Sequence, residues 1–399
     1  MFSMASLRSK VGQKSRRFNA MRVLDRMVPV EPESVTLVAK RKFGLSGNLR
    51  VVADGLAERL KRGVSLFYEG ELPADTRRCL EGQGIRVFSE FNMESAYALA
   101  ASNLIVVDHS IADCYVSYRK PGRKVANIWH GVPIKGIELA MPIIEASHRK
   151  LIEHNAKLYD FMVASSDVDR LALSACFGVS PQRISREGLP RYDLFRDDYR
   201  LPDDLRAMED EIVQQKAGRR LVLYAPTFRD REPSPVVTLG DRLVELENHL
   251  TALGLVLGIR PHQYDKVASE LQPAASRLVF SKDACPETNL LLKHVDILIT
   301  DFSSLWVDFL WLKRPILGFA PSYEHYLTRE RGFLYPFSTV FPGPFFEDVQ
   351  PLMAEISAIV SADRFEVEHE FQRSLFLSEA DTFITPRVVD QLCGLMATN

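Results

Sequence analysis

Over residues 64–166, short apolar runs rich in β-branched and aromatic residues alternate with stretches of helical periodicity. "VSLFYEG" (64–70), "IRVFSE" (85–90), "NLIVVDHS" (103–110), "KVANIWH" (124–130) and "FMVASS" (161–166) each have the length and bounding turn residues of a buried strand. "LPADTRRCLEGQG" and "VDRLALSACFG" between them read as helices, the second closed by Gly178. Strand and helix in alternation predict βαβ units and a parallel sheet covered on both faces. A polar stretch, residues 196–220, then reads as a linker and helix, its Asp197–Asp198 and Asp203–Asp204 pairs solvated. Beyond it the alternation restarts. "RLVLYAPTFRD" (220–230), "GLVLGIRPH" (254–262), "RLVFSKD", "VDILITD" (295–301) and "PILGFAP" (315–321) are the expected strands, with helices near 239–253, around "NLLLKH" and at "SSLWVDFLWLK". The expectation is an α/β protein of two doubly wound parallel-sheet domains facing a cleft, with ligands outside the carboxyl ends of the strands. The expected boundaries are a basic segment at 1–30, an acceptor-side domain at 31–200, a nucleotide-binding domain at 201–375 and a C-terminal helix at 376–399.

Length and composition agree with this division. The chain has 399 residues, 46% hydrophobic and 26% charged, the range of a soluble globular protein of two or three domains. No apolar run approaches the roughly 18 residues that span a bilayer. Five cysteines, Cys79, Cys114, Cys176, Cys285 and Cys393, are scattered without CxxC spacing. That argues against a disulfide framework or zinc site and fits a reducing cytoplasm. The net charge of −2 gives no reason to expect nucleic acid.

Charge is unevenly spread. Residues 1–30 hold seven basic side chains against Asp25, a net +6 on a chain whose remainder sums to −8. Leu7, Val11, Phe18, Met21, Leu24 and Val28 fall near helical spacing among them. The segment reads either as a basic amphipathic helix lying on an anionic membrane surface or as a solvated, frayed end. It has no apolar core of the kind a secretory signal carries.

Candidate chemistry collects at the predicted carboxyl ends of strands. "NIWHG" places His130 there, with Gly131 and Pro133 turning the chain away; "YAPTFRD" places Thr227, Arg229 and Asp230; "GIRPH" places Arg260 and His262; "ILITDFSS" places Asp301, Ser303 and Ser304. One such histidine is ordinarily structural, but four ends carrying titratable or hydroxyl groups point to a site. Ser303 or Ser304 can cap the following helix, or that helix start can bind phosphate. "GLPRYD" sets Arg191 and Asp193 on a turn, as braces or as site residues, and "YLTRERGFLYPF" sets Arg329 and Arg331 as a phosphate grip or as surface pairs. GxGxxG and GxxxxGK[ST] are both absent, which excludes the usual dinucleotide and P-loop readings.

Taken in order, "NIWHGVPIKG", "GLPRYD", "YAPTFRD", "IRPH", "DILITDFSSLWVDF" and "KRPILGFAPSYEHYLTRERGF" resemble the CDP-glycerol glycerophosphotransferase family, the teichoic acid primases and polymerases. The resemblance spans about 124 to 337. It departs at Phe228, where tryptophan is frequent, and at Pro261. It implies a GT-B-type fold and transfer of a polyol-phosphate from CDP-glycerol or CDP-ribitol to a hydroxyl of a lipid-linked glycan or teichoic-acid-like acceptor, releasing CMP. It implies catalytic roles for His130 and His262, and donor-phosphate contacts at Asp301, Ser303 and Ser304. In that reading His130 takes the acceptor proton, while Arg260 and His262 hold the pyrophosphate. Lys135 joins the candidates through the WHG–x–P–x–K element. No cofactor is required, although the donor diphosphate leaves room for Mg²⁺. The length is nearer the primases, which add one unit. The expected location is the inner face of the cell membrane, peripherally bound. The competing readings are a nucleotide-sugar glycosyltransferase on the same fold, and a non-catalytic carbohydrate- or lipid-binding protein.

Overall fold

The computed structural model describes residues 4–40, 44–227, 236, 239–262, 271, 273–320, 332–378 and 382–397, with side chains from residue 13 onward. The chain divides into two compact units. The first gathers Met1–Gly131, Ile144–Asp193 and Glu379–Asn399; the second gathers Val132–Ile143 and Leu194–Ser378.

The first unit is a seven-stranded parallel sheet: β1 (Glu31–Ala39), β2 (Val64–Tyr68), β3 (Arg86–Phe88), β4 (Ser102–Val107), β5 (Lys124–Asn127), β6 (Phe161–Val163) and β7 (Ile184–Ser185), in the order 3-2-1-4-5-6-7. An interior strand, β1, third in the order and beside β4, is not among the expected strands. Its first four residues, Glu31, Pro32, Glu33 and Ser34, are polar, leaving only five buried positions to signal it. The second unit is a six-stranded parallel sheet: β8 (Arg220–Ala225), β9 (Leu255–Ile259), β10 (Arg277–Val279), β11 (Ile297–Thr300), β12 (Ile316–Phe319) and β13 (Phe345–Phe346), in the order 10-9-8-11-12-13. β7 and β13 have two residues each, too short for a sequence period to reveal. Both orders reverse beside the first strand, between β1 and β4 and between β8 and β11, the place where doubly wound sheets open for ligands. The expected polar residues therefore stand in loops just past the strands, because each strand ends earlier than its apolar run suggests.

Two helices show how the first unit closes. The helix α1 (Met4–Met27) precedes β1 and packs by its later half. Met21 is fully buried, and the carboxylate of Asp25 takes two hydrogen bonds from Arg123, at 2.6 and 2.9 Å, both residues being buried. Lys120 lies beside this pair and donates to the main-chain oxygens of Val28 and Ala100. At the other end of the chain, the helix Ile384–Ala397 packs on α2 (Gly47–Leu60). Their approach is close at Gly55, where a Cβ would meet methyls of Thr385 and Val389 at 3.0 Å.

Two stability outcomes follow from these contacts. Gly55→Val should cost about 1–3 kcal/mol through overpacking, read as a lower denaturant midpoint. Asp25→Ala should cost about 3–5 kcal/mol, because Arg123 is left as a buried, uncompensated charge. Wild-type stability in either variant would mean that the contact yields easily.

Candidate active site

The site in the first unit is built at the ends of β4 and β5. Asp108 and His109 follow β4, and the Ile128 N–H extends the ladder to Val107 O at 2.9 Å. Asn127 ends β5 and ties the two loops together. Its amide donates to His109 O at 2.9 Å, and its side-chain oxygen accepts the Trp129 N–H at 2.9 Å. Trp129 has φ of 43° and Gly131 φ of 152°, both in the left-handed region. The tryptophan is the costly one, since its Cβ crowds the carbonyl there, by about 1–2 kcal/mol. The surrounding loop is held by Asn48 at the start of α2, which donates to Ile128 O (3.1 Å) and Trp129 O (2.9 Å). Asn48 in turn accepts the Arg191 N–H at 3.2 Å, and Arg191 Nη1 donates to His130 O at 2.5 Å.

His130 itself is exposed. Its Nδ1 lies 3.0 Å from the main-chain oxygen of Asp108. A carbonyl oxygen only accepts, so Nδ1 carries the hydrogen and Nε2 keeps its lone pair. The ring stacks on His109, centroids 4.1 Å apart at 18°, and leans on Trp129 at 3.9 Å. His109 Nδ1 donates to the Asp108 carboxylate at 2.8 Å. Desolvation by the surrounding protein and, second, the neighbouring His109 push the His130 pKa down from the usual imidazole value. Because the residue keeps exposed surface, water screens part of that desolvation, and the shift is shallower than in an enclosed ring. An imidazole that is neutral near pH 7, with its tautomer fixed, is suited to accept a proton. Behind it, Asp169 is wholly buried and accepts the Ser165 N–H at 2.7 Å. Burial raises its carboxyl to about 7, opposed by that hydrogen bond and by Arg191.

In the second unit, Asp301 is buried where the strand order reverses and accepts the Thr227 N–H at 2.8 Å. Thr300 Oγ1 donates to Ala225 O at 2.7 Å beside it. Asp301 thus ties β8 to β11, with one carboxylate oxygen on the main chain. Ser303 Oγ accepts the Leu305 N–H at 3.3 Å, while the Ser304 side chain caps nothing. The expected long helix after them is a five-residue α-helix, Leu305–Phe309, continued by a 3₁₀ turn, Leu310–Leu312. So short a helix carries little macrodipole, which weakens the expectation that its start binds phosphate. His262 is half-buried past the end of β9.

One expected ligand contact, Arg260, and one expected turn residue, Asp193, are engaged by the protein itself. Arg260 donates through Nη1 to Cys285 O (2.7 Å) and Phe280 O (3.1 Å), and through Nη2 to Thr288 Oγ1 (2.8 Å). It braces the loop after β10 in place of the phosphate grip expected of it. Asp193 accepts the Ile384 and Thr385 N–H groups at 2.8 and 2.7 Å, so it caps the C-terminal helix. Arg191 fulfils the bracing alternative. Lys135 forms an isolated antiparallel bridge with Phe333 within the second unit, which the chain enters directly after Gly131. Arg229, Asp230, Arg329 and Arg331 lie outside the described residues. Among the described residues no group of three or more His, Cys, Asp or Glu is placed to hold a metal ion, and no helix is long and apolar enough to cross a membrane.

Against this geometry, the family model described as CDP-Glycerol:Poly(glycerophosphate) glycerophosphotransferase matches residues 20–394. The chain belongs to this family. The resemblance carried by the WHG and TD–Phe–SS elements therefore holds for nearly the whole length, and the chain is a transferase of the glycerophosphotransferase type. Among its relatives is the teichoic acid ribitol-phosphate primase of Bacillus spizizenii strain W23, 26% identical over 95% of both chains. The teichoic acid poly(ribitol-phosphate) polymerase of the same strain is 23% identical over 92% of this chain, which spans 57% of that protein. The solved structure of the wall teichoic acid polymerase TagF superposes with a TM-score of 0.78 over 100% of this chain and 99% of that one, at 16% identity. That likeness shows the fold, the GT-B-type pair of doubly wound units expected from the sequence.

Sequence reasoning overlooked Asp108, His109, Asn48, Asn127 and Asp169. For the first two the signal was present, since "VVDHS" ends an apolar run as "NIWHG" does. Asn48 lies beyond an unassigned strand and carried no such signal.

The two turn residues of "GLPRYD" should separate experimentally. Asp193→Ala should lower stability by about 1–2 kcal/mol through the lost cap and leave turnover of the folded fraction unchanged. Arg191→Ala should lower turnover as well, because it releases the His130 carbonyl. Equal turnover in the two variants would remove Arg191 from the site.

Proposed function

We propose that this family member transfers a polyol-phosphate from a CDP-activated donor to a hydroxyl of a membrane-linked glycan, in teichoic-acid-type synthesis, with CMP leaving. The observation that carries the reading is His130, whose Nδ1–H is engaged by Asp108 O, which makes Nε2 the ring nitrogen that can take a proton. As Nε2 takes that proton, the oxygen attacks the phosphorus bearing the polyol, and the bond to the CMP oxygen breaks with its electron pair. His262, Thr227, Ser303 and Ser304, with the loop amides around them, are the donor-side groups in this proposal. Similarity to a ribitol-phosphate primase over 95% of both chains supports addition of a single unit over polymerisation.

Peripheral attachment to an anionic membrane belongs to the same proposal. It rests on α1, whose outer face exposes Lys14, Arg16, Arg22 and Arg26 beside Val23 and Met27, the last two 52% and 74% exposed. Cationic side chains beside exposed apolar ones are what an interfacial helix needs. The inner side chains of α1 are packed: Arg17 pairs with Glu69 and donates to Tyr115 OH at 2.6 Å.

Two experiments test the proposal. A panel of CDP- and UDP-linked donors with a lipid-linked disaccharide acceptor should release CMP only from the CDP donors. In that assay His130→Ala should lower kcat by about 10²–10⁴-fold while donor affinity stays near wild type. Wild-type kcat in His130→Ala, or release of a nucleoside diphosphate, would overturn it. Replacing Lys14, Arg16, Arg22 and Arg26 by glutamine should remove roughly 1 kcal/mol of vesicle affinity per charge without unfolding, since none of the four is buried. Unchanged binding to anionic vesicles would exclude α1 as the attachment.

A further inference from the structure

The stacked imidazoles at the ends of β4 and β5 have a consequence for the reaction, one that rests on reading His130 as the base. Asp108 holds both rings. Its carboxylate accepts His109 Nδ1–H at 2.8 Å and its main-chain oxygen accepts His130 Nδ1–H at 3.0 Å. Asn127 fixes the same arrangement from β5, through His109 O and Trp129 N–H. The rings lie nearly parallel, 4.1 Å apart, with His109 and Asp108 buried and His130 exposed. The charged groups facing the pair come from several elements. Asp108 and Asp113 lie on the segment after β4, with Lys40 at the end of β1 near Asp113, and Arg191 comes from the 3₁₀ turn Pro190–Phe195.

We propose that His109 is a positioning residue for His130, and that the resting stacked pair carries at most one positive charge, so that His109 sets the pH window in which His130 acts as base. At this separation two imidazolium rings repel strongly. Interacting sites of this kind take up protons in two well-separated steps that belong to the pair. A proton on His109 is favoured by the Asp108 carboxylate, and its presence disfavours a second on His130. At rest His109 takes up the first proton and His130 stays unprotonated; in turnover His130 Nε2 takes the proton of the acceptor hydroxyl. The stack also fixes the plane of the base, which orientation-dependent proton transfer requires.

The sign of the effect is open to measurement. A base works above its own pKa, so lowering that pKa extends activity toward acid. His109→Phe keeps a flat ring and removes the charge. With the repulsion gone and Asp108 no longer paired, the acidic limb of kcat/KM should move to higher pH by about one unit, a tenfold loss at the acid end. His109→Ala should lose the stacked surface and lower kcat about 10–100-fold at every pH, while His109→Phe largely restores it. A direct reading comes from wild-type protein with ¹³C-labelled histidine, where the two rings should titrate in steps at least two units apart. An unmoved acidic limb in His109→Phe, or two rings titrating independently near the ordinary imidazole value, would overturn the proposal. Should His109→Phe fail to fold, the wild-type titration alone decides. The failures are distinguishable: wild-type kcat in His130→Ala removes the base but leaves the coupled titration, whereas independent titration removes the pair and leaves the base.

Discussion

The hydrogen bond from His130 to the main-chain oxygen of Asp108 is the contact on which the arrangement of the two stacked imidazoles depends. A carboxylate in that place would draw a proton toward the pair and could itself be protonated. An amide carbonyl has no protonation state in the working range, so it fixes the imidazole tautomer at every pH at which the protein is folded. The remaining contacts keep that donor and acceptor in register. Asn127 joins the β4 and β5 loops, Asn48 holds the Trp129 carbonyl at an unfavourable φ, and Arg191 holds the His130 carbonyl. Strain at Trp129 of about 1–2 kcal/mol is borne by two neutral hydrogen bonds of similar combined worth.

The acidic residues near the sites share one role. Asp193, Asp301 and Asp169 each accept a main-chain N–H, and Asp108 accepts an imidazole N–H. Near a ligand that itself carries phosphate charge, carboxylates already engaged with amide dipoles repel it less than bare ones would. Asp25 plays the analogous part with Arg123, away from the site. The fold thus uses these buried carboxylates to fix loops and helix ends.

Much of this architecture was legible in the sequence for a simple reason. Parallel strands buried on both faces must be apolar throughout, and ligands must sit where they end, so "NIWHG" and "ILITDFSS" announce themselves. What was not legible has equally physical causes. β1 hides behind a polar first half, and two-residue edge strands have no period. Asp193 and Arg191, two positions apart, looked alike on the turn. Only the return of the chain at Ile384 makes one a helix cap, and only the approach of the WHG loop makes the other a brace. Arg260 looked like a phosphate ligand because the sequence does not show which carbonyls will surround it. His109 was overlooked because the apolar run before it was read as strand through Ser110, three residues past the end of β4 at Val107.

The make-up of the first unit from three separate stretches bears on how the protein is synthesised. Its sheet is complete once residue 185 has been made, but the helix that covers α2 at Gly55 belongs to the last stretch, Glu379–Asn399. At about 5–20 residues per second, roughly 10–40 seconds separate the two events on the ribosome. For that interval the side of α2 around Gly55 lacks the helix that later covers it, and the second unit, continuous from Leu194 apart from one short stretch, can fold first. The nascent chain therefore presents a complete sheet with one covering helix still missing, a state in which a ribosome-bound chaperone has a physical reason to act.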